Sequence, residues 1–324
     1  MQSAQAATGD ARAAVVAGIE NCVAQLREFN VRHRAIELIV FPAIWIIGAT
    51  ITLAAREYVE LAWLQWLLVG LGVAISAVGL NAFVLLLHEG MHHTLFANYY
   101  LNRWVSVLLG LPLVMSFSAY QVLHLRHHTY LGDPRDPDDY ANYSNRPWLV
   151  WWMHIGRLAF GSFLYLIFIP LLAWRHGDST QRRRIVEEYA VLAVAAVLVA
   201  WLVPGDVILW GWFLPAVLVG YMTNIRGFAQ HGITDAHDPY LASRTMKPHP
   251  LVAFCLLNEN YHLEHHLFPE VPSYHLQALH ELIWPRLPRV VTGRSYLSFL
   301  ASFLSATLRR DDSPIGLSTP QKES

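Results

Sequence analysis

Histidines recur in three short clusters, and the spacing within each cluster would allow several imidazole side chains to act together. The clusters run from His88 to His93, from His124 to His128 and from His262 to His266, in the patterns HxxxHH, HxxHH and HxxHH. Residues three and four apart share one face of an α-helix, so each cluster would direct two or three imidazoles to one side. Neutral imidazole is a common metal ligand. With one solitary histidine, the ten candidate metal ligands are His88, His92, His93, His124, His127, His128, His231, His262, His265 and His266.

The number of candidate ligands limits which metal ions, and how many of them, the histidines could bind. Imidazole suits iron, zinc, copper and nickel, but a zinc site takes only three or four protein ligands. Two metal ions with four or five ligands each would use about that number of histidines. A nitrogen-rich pair without a motif for an organic cofactor favours iron and dioxygen chemistry, in which the protein positions the reactants. The two cysteines, Cys22 and Cys255, are too few for an iron–sulfur cluster held by this chain alone.

The composition is that of a membrane protein. Of 324 residues, 54% are apolar and 15% are charged, whereas soluble domains carry about 25% charged residues. The net charge of −1 gives no reason to expect a nucleic-acid partner. Residues 1–34 have a mixed, helical pattern and lack the basic start and apolar stretch of a signal peptide, so we expect them to stay in the cytoplasm.

Four apolar segments are predicted to cross the membrane, each close to the roughly 20 residues that a spanning helix needs. They are residues 35–55, 62–87, 187–203 and 207–224. Arg27, Arg32 and Arg34 precede the first segment, so the positive-inside rule places the N-terminus and the first cluster on the cytoplasmic side.

Two further apolar segments are predicted to stay at one face of the membrane. Residues 101–119 contain a Gly-Leu-Pro sequence and would separate the first two clusters if they crossed, so we expect a re-entrant or in-plane hairpin. Residues 147–174 contain His154 and Arg157, a costly pair at the bilayer centre, and are assigned to the interface. The predicted fold is all-α: an integral membrane protein with four spanning helices, re-entrant and interfacial helices and a cytosolic histidine-rich catalytic cap.

Around the clusters the sequence resembles the membrane-bound di-iron fatty acid desaturases. The stretches LHEGMHHTLF, HLRHHTYLGDPRDPD and NENYHLEHHLFPEVP carry this resemblance, which covers roughly residues 35–290. It implies two iron ions (Fe2+/Fe3+) held by the nine clustered histidines, with His231 as the extra histidine between the second and third clusters. The implied reaction uses dioxygen to remove two vicinal hydrogens from a fatty acyl or lipid-like chain, which creates a C=C bond.

The resemblance also sets expectations for partners, location and organisation. Electrons are expected from a separate ferredoxin or cytochrome b5-like donor, and membrane lipid is the other expected partner. We expect a bacterial inner-membrane protein with its active site and both termini in the cytoplasm, and the oligomeric state is left open. The predicted organisation is a cytoplasmic helical segment at 1–34, a desaturase-like domain at 35–290, an interfacial helix at 291–308 and a disordered tail at 309–324.

Four polar residues beside the clusters are predicted to support the ligand imidazoles. Carboxylates often orient metal-bound histidines. The competing interpretations are a Pro-rich turn with solvated acids and amides that cap helices. These residues are Asp136, Asp138, Asn258 and Asn260.

Other functions fit parts of the pattern. A hydroxylase or a ketolase on the same di-iron scaffold shares the clusters, and a desaturase of a small amino-acid-derived metabolite is a further alternative. The sequence from His88 to His92 also matches the HExxH motif of membrane zinc proteases, with Glu89 as the general base. That chemistry gives no role to the second and third clusters. A metal carrier without enzymatic activity completes the alternatives.

Overall fold

Long α-helices dominate the chain, which confirms the predicted all-α class. The computed structural model describes residues 4–308, so the predicted tail at 309–324 lies outside the described residues. Within them, β1 (Arg244–Met246) and β2 (Val291–Gly293) form a short parallel pair. The helices are α1 (Ala4–Val16), α2 (Glu20–Gln25), α3 (Val31–Tyr58), α4 (Ala62–Met91), α5 (Tyr99–Gly110), α6 (Phe117–Tyr130), α7 (Pro147–His176), α8 (Ser179–Leu202), α9 (Gly205–Ile208), α10 (Leu214–His231), α11 (Pro250–Cys255), α12 (His262–Leu267), α13 (Leu276–Ile283) and α14 (Tyr296–Leu308).

The described residues form two compact units. Unit 1 consists of residues 4–29, 123–159 and 224–308, and unit 2 consists of residues 30–122 and 160–223. The second and third histidine clusters therefore belong to unit 1, whereas the first cluster, at the end of α4, belongs to unit 2.

Five helices in the described part of the chain are long and apolar enough to cross a membrane. They are Val31–Tyr58, Ala62–Met91, Trp148–His176, Ser179–Leu202 and Gly205–His231. The last one comprises α9, a π-helical turn and α10. Four of the five coincide with the predicted spans, and the fifth is the segment assigned to the interface because of His154 and Arg157. That assignment rests on charge rather than on length and stays a prediction, as does the interfacial position of α14.

A sharp bend separates α5 from α6, in the segment predicted to be re-entrant. The helical stretches Tyr99–Leu113 and Phe117–Tyr130 are bent by 102° across a short break. Val114, in the break, has a left-handed φ of 53°, which is unusual for a β-branched residue. Gly110 permits the close approach, because a Cβ atom there would lie 2.4 Å from the carbonyl oxygen of Met115. A re-entrant hairpin requires such a bend.

Small residues let α3 and α4 pack closely within unit 2. A Cβ atom on Gly79 would lie 2.3 Å from the backbone nitrogen of Trp45, and the Ser76 hydroxyl donates to the Trp45 carbonyl oxygen at 3.0 Å. Small side chains permit this close approach of helices in membranes. Every residue of α4 from Gly79 to Met91 is buried. The end of α4 that carries the first cluster is therefore firmly held.

The apolar core of unit 1 lies behind the third cluster. Leu263 and Leu267 of α12 are fully buried, and Val15 of α1 packs in the same apolar cluster. Arg12 of α1 pairs with Glu270, just after α12. Because α12 has only six residues, too few for a stable isolated helix, this packing must hold it in place. Helix α1 therefore supports the third cluster.

Candidate metal centre

Three helix ends of unit 1 carry the histidines of the second and third clusters and the solitary histidine. The last two turns of α6 hold the second cluster, α12 holds the third, and His231 is the last residue of α10. Spacings of three and four residues put the imidazoles of each helix on a common side. The structure brings these seven histidines together: His124, His127, His128, His231, His262, His265 and His266.

The first nitrogen group consists of His127, His231, His262 and His266. A ligand nitrogen from each of His127, His231 and His266 lies within 4.8 Å of the other two. The Nε2 atom of His262 lies 2.9 Å from Nε2 of His231 and 3.1 Å from Nε2 of His266. Four imidazoles that converge from three helices match the ligand number of a single metal ion.

The second nitrogen group consists of His124, His128 and His265. Their ligand nitrogens lie within 4.8 Å of one another, and Nε2 of His265 lies 3.3 Å from Nε2 of His128. The ring of His128 stacks on the ring of His266, with 4.2 Å between the centroids. The two groups are therefore adjacent, an arrangement that suits two metal ions side by side.

The chemistry of the first nitrogen group fits a bound metal ion. The Nε2 atom of His127 is buried and has no hydrogen-bond partner among residues 4–308. A buried polar atom without a partner costs about 1–3 kcal/mol, which a metal ion would offset. Burial and the neighbouring imidazoles lower the pKa of His266 well below its usual value. Neutral imidazole is the form that binds metal, so the environment of His266 favours its ligand form.

Asp136 contacts the ring of His127 on the side opposite Nε2. Nδ1 of His127 lies 3.0 Å from both carboxylate oxygens of Asp136, and both residues are buried. Such a contact leaves Nε2 as the ring nitrogen that could bind a metal ion. Asp138 lies farther away, with 3.9 Å between its Oδ2 and Nδ1 of His127, and its backbone N–H donates to Oδ1 of Asp136. Of the two acids, Asp136 makes the closer contact with the imidazole.

The two candidate asparagines contact backbone near the third cluster. The Nδ2 atom of Asn260 donates to the carbonyl oxygen of Met246 at 3.0 Å, and the backbone carbonyl oxygen of Asn260 accepts from the Met246 N–H at 2.8 Å. Asn258 has a left-handed φ of 61°, and its N–H donates to the carbonyl oxygen of Ala253. These contacts tie the segment before α12 to β1 and to α11.

The first cluster places two imidazoles together and turns the third away. The rings of His88 and His92 lie 5.2 Å apart, and their ligand nitrogens lie within 4.8 Å of each other. His93 follows the end of α4 and has a left-handed φ of 59°. Its Nδ1 atom lies 3.4 Å from Nδ2 of Asn102, and its ring lies 5.7 Å from that of Tyr99. The helical spacing therefore applies to the first pair and not to His93.

Arg34 binds Glu89, the acidic residue within the first cluster. Its Nη2 atom lies 2.5 Å from Oε2 of Glu89, its Nη1 atom lies 2.6 Å from Oε2 of Glu37, and all three residues are buried. A carboxylate bound to a buried guanidinium is poorly placed to accept a proton as a general base. The contact therefore counts against the HExxH protease interpretation. In the sequence Arg34 serves only as a topology signal, because Glu89 lies 55 residues away.

Arg244 caps the C-terminal end of α10, where His231 lies. This role was not predicted from the sequence. Its guanidinium donates to the carbonyl oxygens of Ala229 at 2.5 Å, Gly232 at 2.9 Å and Ile233 at 3.0 Å. The last carbonyl groups of a helix lack partners within it and attract cations. Burial lowers the pKa of Arg244 to about 10, so it stays charged at neutral pH.

Comparison with known proteins identifies the family. The profile of the fatty acid desaturase family matches residues 62–298. The sphingolipid delta(4)-desaturase/C4-monooxygenase of Bos taurus is 24% identical over 253 residues, which are 75% of this chain and 74% of that protein. The sphingolipid delta(4)-desaturase of Drosophila melanogaster is 26% identical over 251 residues, 72% of this chain and 71% of the relative. The sn-1 oleoyl-lipid 12-desaturase of Arthrospira platensis is 22% identical over 252 residues, 68% of this chain and 71% of the relative.

The matched residues include all ten candidate ligands. The match extends over more than half of the chain, and the helices and histidine clusters are those of a multi-pass membrane protein that could bind metal. The chain therefore belongs to the fatty acid desaturase family and is a membrane oxidoreductase of lipid metabolism.

Proposed function

We propose that the chain is an O2-dependent, non-haem di-iron desaturase that introduces a C=C bond into a fatty acyl or lipid-like chain. The observation that carries the proposal is the pair of adjacent nitrogen groups in unit 1. A zinc protease or a single-metal carrier would need only one such group. Imidazole ligands suit iron, and iron is the metal expected of a desaturase.

The first nitrogen group is proposed to hold one iron ion. The second group is proposed to hold the other. The family pattern assigns His88 and His92 of the first cluster to iron as well. The family pattern also assigns His93 to iron. The contacts of its ring with Tyr99 and Asn102 count against that assignment, which metal analysis of His93→Ala would test. When bound, the iron pair would supply the activation of dioxygen.

The surrounding residues have their own tasks in this proposal. Asp136 keeps Nε2 of His127 directed at the metal, and Arg244 fixes the helix end that carries His231. The apolar residues behind the third cluster, Leu263 and Leu267, are fully buried and keep water away from that side of the site. Water exclusion limits side reactions of an oxidising centre.

The overall reaction needs an external source of electrons. Two C–H bonds on neighbouring carbons break and a second C–C bond forms, which releases two protons and two electrons. With two more electrons and two more protons, dioxygen is reduced to two molecules of water. The sequence has only Cys22 and Cys255, so we propose a separate ferredoxin or cytochrome b5-like electron donor.

Hydroxylation is the second candidate reaction, because the Bos taurus relative is named both a desaturase and a C4-monooxygenase. The names of the relatives favour a long-chain lipid substrate, either a sphingolipid or an acyl lipid. We further propose a bacterial inner-membrane location with the active site and both termini in the cytoplasm. Arg27, Arg32 and Arg34, which precede the first apolar segment, support this orientation.

Expression in cells that are fed a saturated acyl lipid or a saturated sphingolipid tests the proposal. We expect purified wild-type protein to hold two iron ions per chain, and we expect the lipid product to have lost two hydrogen atoms. Gain of one oxygen atom would instead support hydroxylation. His127→Ala and His265→Ala should abolish the product, whereas His237→Ala, at an exposed histidine, should not. One zinc ion per chain, or a fully active His127→Ala variant, would overturn the proposal.

A further inference from the structure

Glu188 is a buried acid that lies outside every histidine cluster. It belongs to α8, a candidate membrane span, and is only 3% exposed. An unpaired carboxylate in such a place would be strongly destabilising. Its contacts therefore show what it stabilises.

The carboxylate of Glu188 binds the start of α6. Its Oε2 atom accepts from the Ser116 hydroxyl at 2.7 Å and from the backbone N–H of Ser118 at 2.8 Å. Its Oε1 atom accepts from the Ser118 hydroxyl at 2.6 Å and lies 3.4 Å from Nη2 of Arg103. All four residues belong to unit 2.

These contacts provide hydrogen-bond acceptors for the N-terminus of α6. The first N–H groups of a helix lack partners within it. The Ser116 hydroxyl accepts the N–H of Ala119 at 3.1 Å, as a helix cap does, and Glu188 accepts the N–H of Ser118. The negative charge of Glu188 also lies at the positive end of the α6 dipole, where it is favourable.

The chain changes direction sharply just before α6. It bends by 102° there and passes through the left-handed Val114. The same helix carries the second cluster at its other end, and His127 lies nine residues beyond Ser118, about 14 Å along the axis. A small tilt at the start would therefore displace the imidazoles by an ångström or so, on the order of what a metal site tolerates poorly.

We propose that Glu188 is a positioning residue for the second histidine cluster, because it anchors α6 to α8 at the bend. This inference rests on the proposed metal function of that cluster. Glu188 touches neither metal nor substrate in this proposal, and it acts through the direction of α6.

Metal binding by the full-length, detergent-purified protein tests the role of Glu188. Iron per chain is measured first. The metal-free protein is then titrated with Co2+, and the visible spectrum of Co2+ reports its ligand set. The variants are Glu188→Gln, which removes the charge, Glu188→Asp, which keeps it, and Ser118→Ala, which removes one hydroxyl donor. Glu187→Gln is the matched control, because Glu187 is the neighbouring acid and is exposed.

We expect Glu188→Gln to weaken Co2+ binding by about tenfold and to change the spectrum, as changes around metal ligands commonly do. Glu188→Asp should restore part of the affinity, Ser118→Ala should lower it less, and Glu187→Gln should match wild type. A Glu188→Gln protein that melts at a lower temperature but binds Co2+ with wild-type affinity and spectrum would overturn the inference. If that variant does not fold, unchanged Co2+ binding by Ser118→Ala overturns it. Wild-type protein that binds neither iron nor Co2+ would overturn the proposed function as well.

Discussion

Glu264 and His280 form a buried pair behind the third cluster, with Oε1 of the carboxylate 2.5 Å from Nδ1 of the imidazole. The other carboxylate oxygen accepts from the hydroxyl of Thr245 at 2.6 Å. Glu264 lies between two candidate ligands in sequence, but in a helix it points about 100° or more away from their common face. It therefore binds α12 to α13 and β1, just as Glu89 of the first cluster is bound to Arg34.

Replacing Glu264 should loosen the third cluster. In Glu264→Ala, Thr245 and His280 would lose a buried acceptor, and we expect the free energy of unfolding to fall by about 1–3 kcal/mol. Iron content per folded chain should fall with it. Glu281→Ala, at an exposed acid on α13, is the control. Denaturant unfolding and metal analysis measure both effects, and equal values for the two variants would show that the pair does not hold α12.

Asp136→Asn should reduce turnover while the protein stays folded. The amide keeps one acceptor for Nδ1 of His127, but it lacks the charge that orients and strengthens a ligand imidazole. Changes of this kind commonly cost about 10–100-fold in metal affinity or activity. Asp133→Asn is the control, because Asp133 lies in the same loop and pairs with Arg135. Product formation and iron content check the prediction, and wild-type values in Asp136→Asn would contradict it.

Arg34→Gln should strongly destabilise unit 2. The substitution leaves the carboxylates of Glu37 and Glu89 buried without their common cation, and breaking a buried ion pair typically costs about 3–5 kcal/mol. Arg32→Gln, two residues earlier and exposed, should have little effect. Thermal unfolding of the two variants in the same detergent makes the comparison. Similar melting temperatures would mean that the guanidinium contributes little to the fold.

Sequence reasoning finds features that depend on local pattern. Apolar length locates the spans, and the Gly-Leu-Pro sequence correctly indicates a break near the bend between α5 and α6. Spacings of three and four residues predict which imidazoles share a helix face, and seven of the ten candidates meet in unit 1. Prediction from local sequence is less successful where apolar length and charge indicate different positions in the membrane. Trp148–His176 is long enough to span, yet it contains His154 and Arg157.

The residues that hold the clusters have no local signal, because their partners are distant in sequence. Arg34 and Glu89 are 55 residues apart, and Glu188 lies 70 residues beyond Ser118. Arg244 caps a helix that ends 13 residues earlier, at His231, and only the folded chain shows which carbonyl groups it reaches.

The end of α4 leads to a prediction that separates two neighbouring histidines. His92 keeps its place beside His88, whereas the left-handed backbone of His93 turns its ring toward Tyr99 and Asn102. We therefore expect His92→Ala to lose iron and activity, and we expect His93→Ala to keep most of its iron. Because the two variants remove the same side chain from adjacent positions, each is the control for the other. Metal analysis of the purified proteins measures the difference. Equal iron loss in both would instead support the family assignment of His93 as an iron ligand and would mean that the imidazole reaches the metal despite the turn of the backbone.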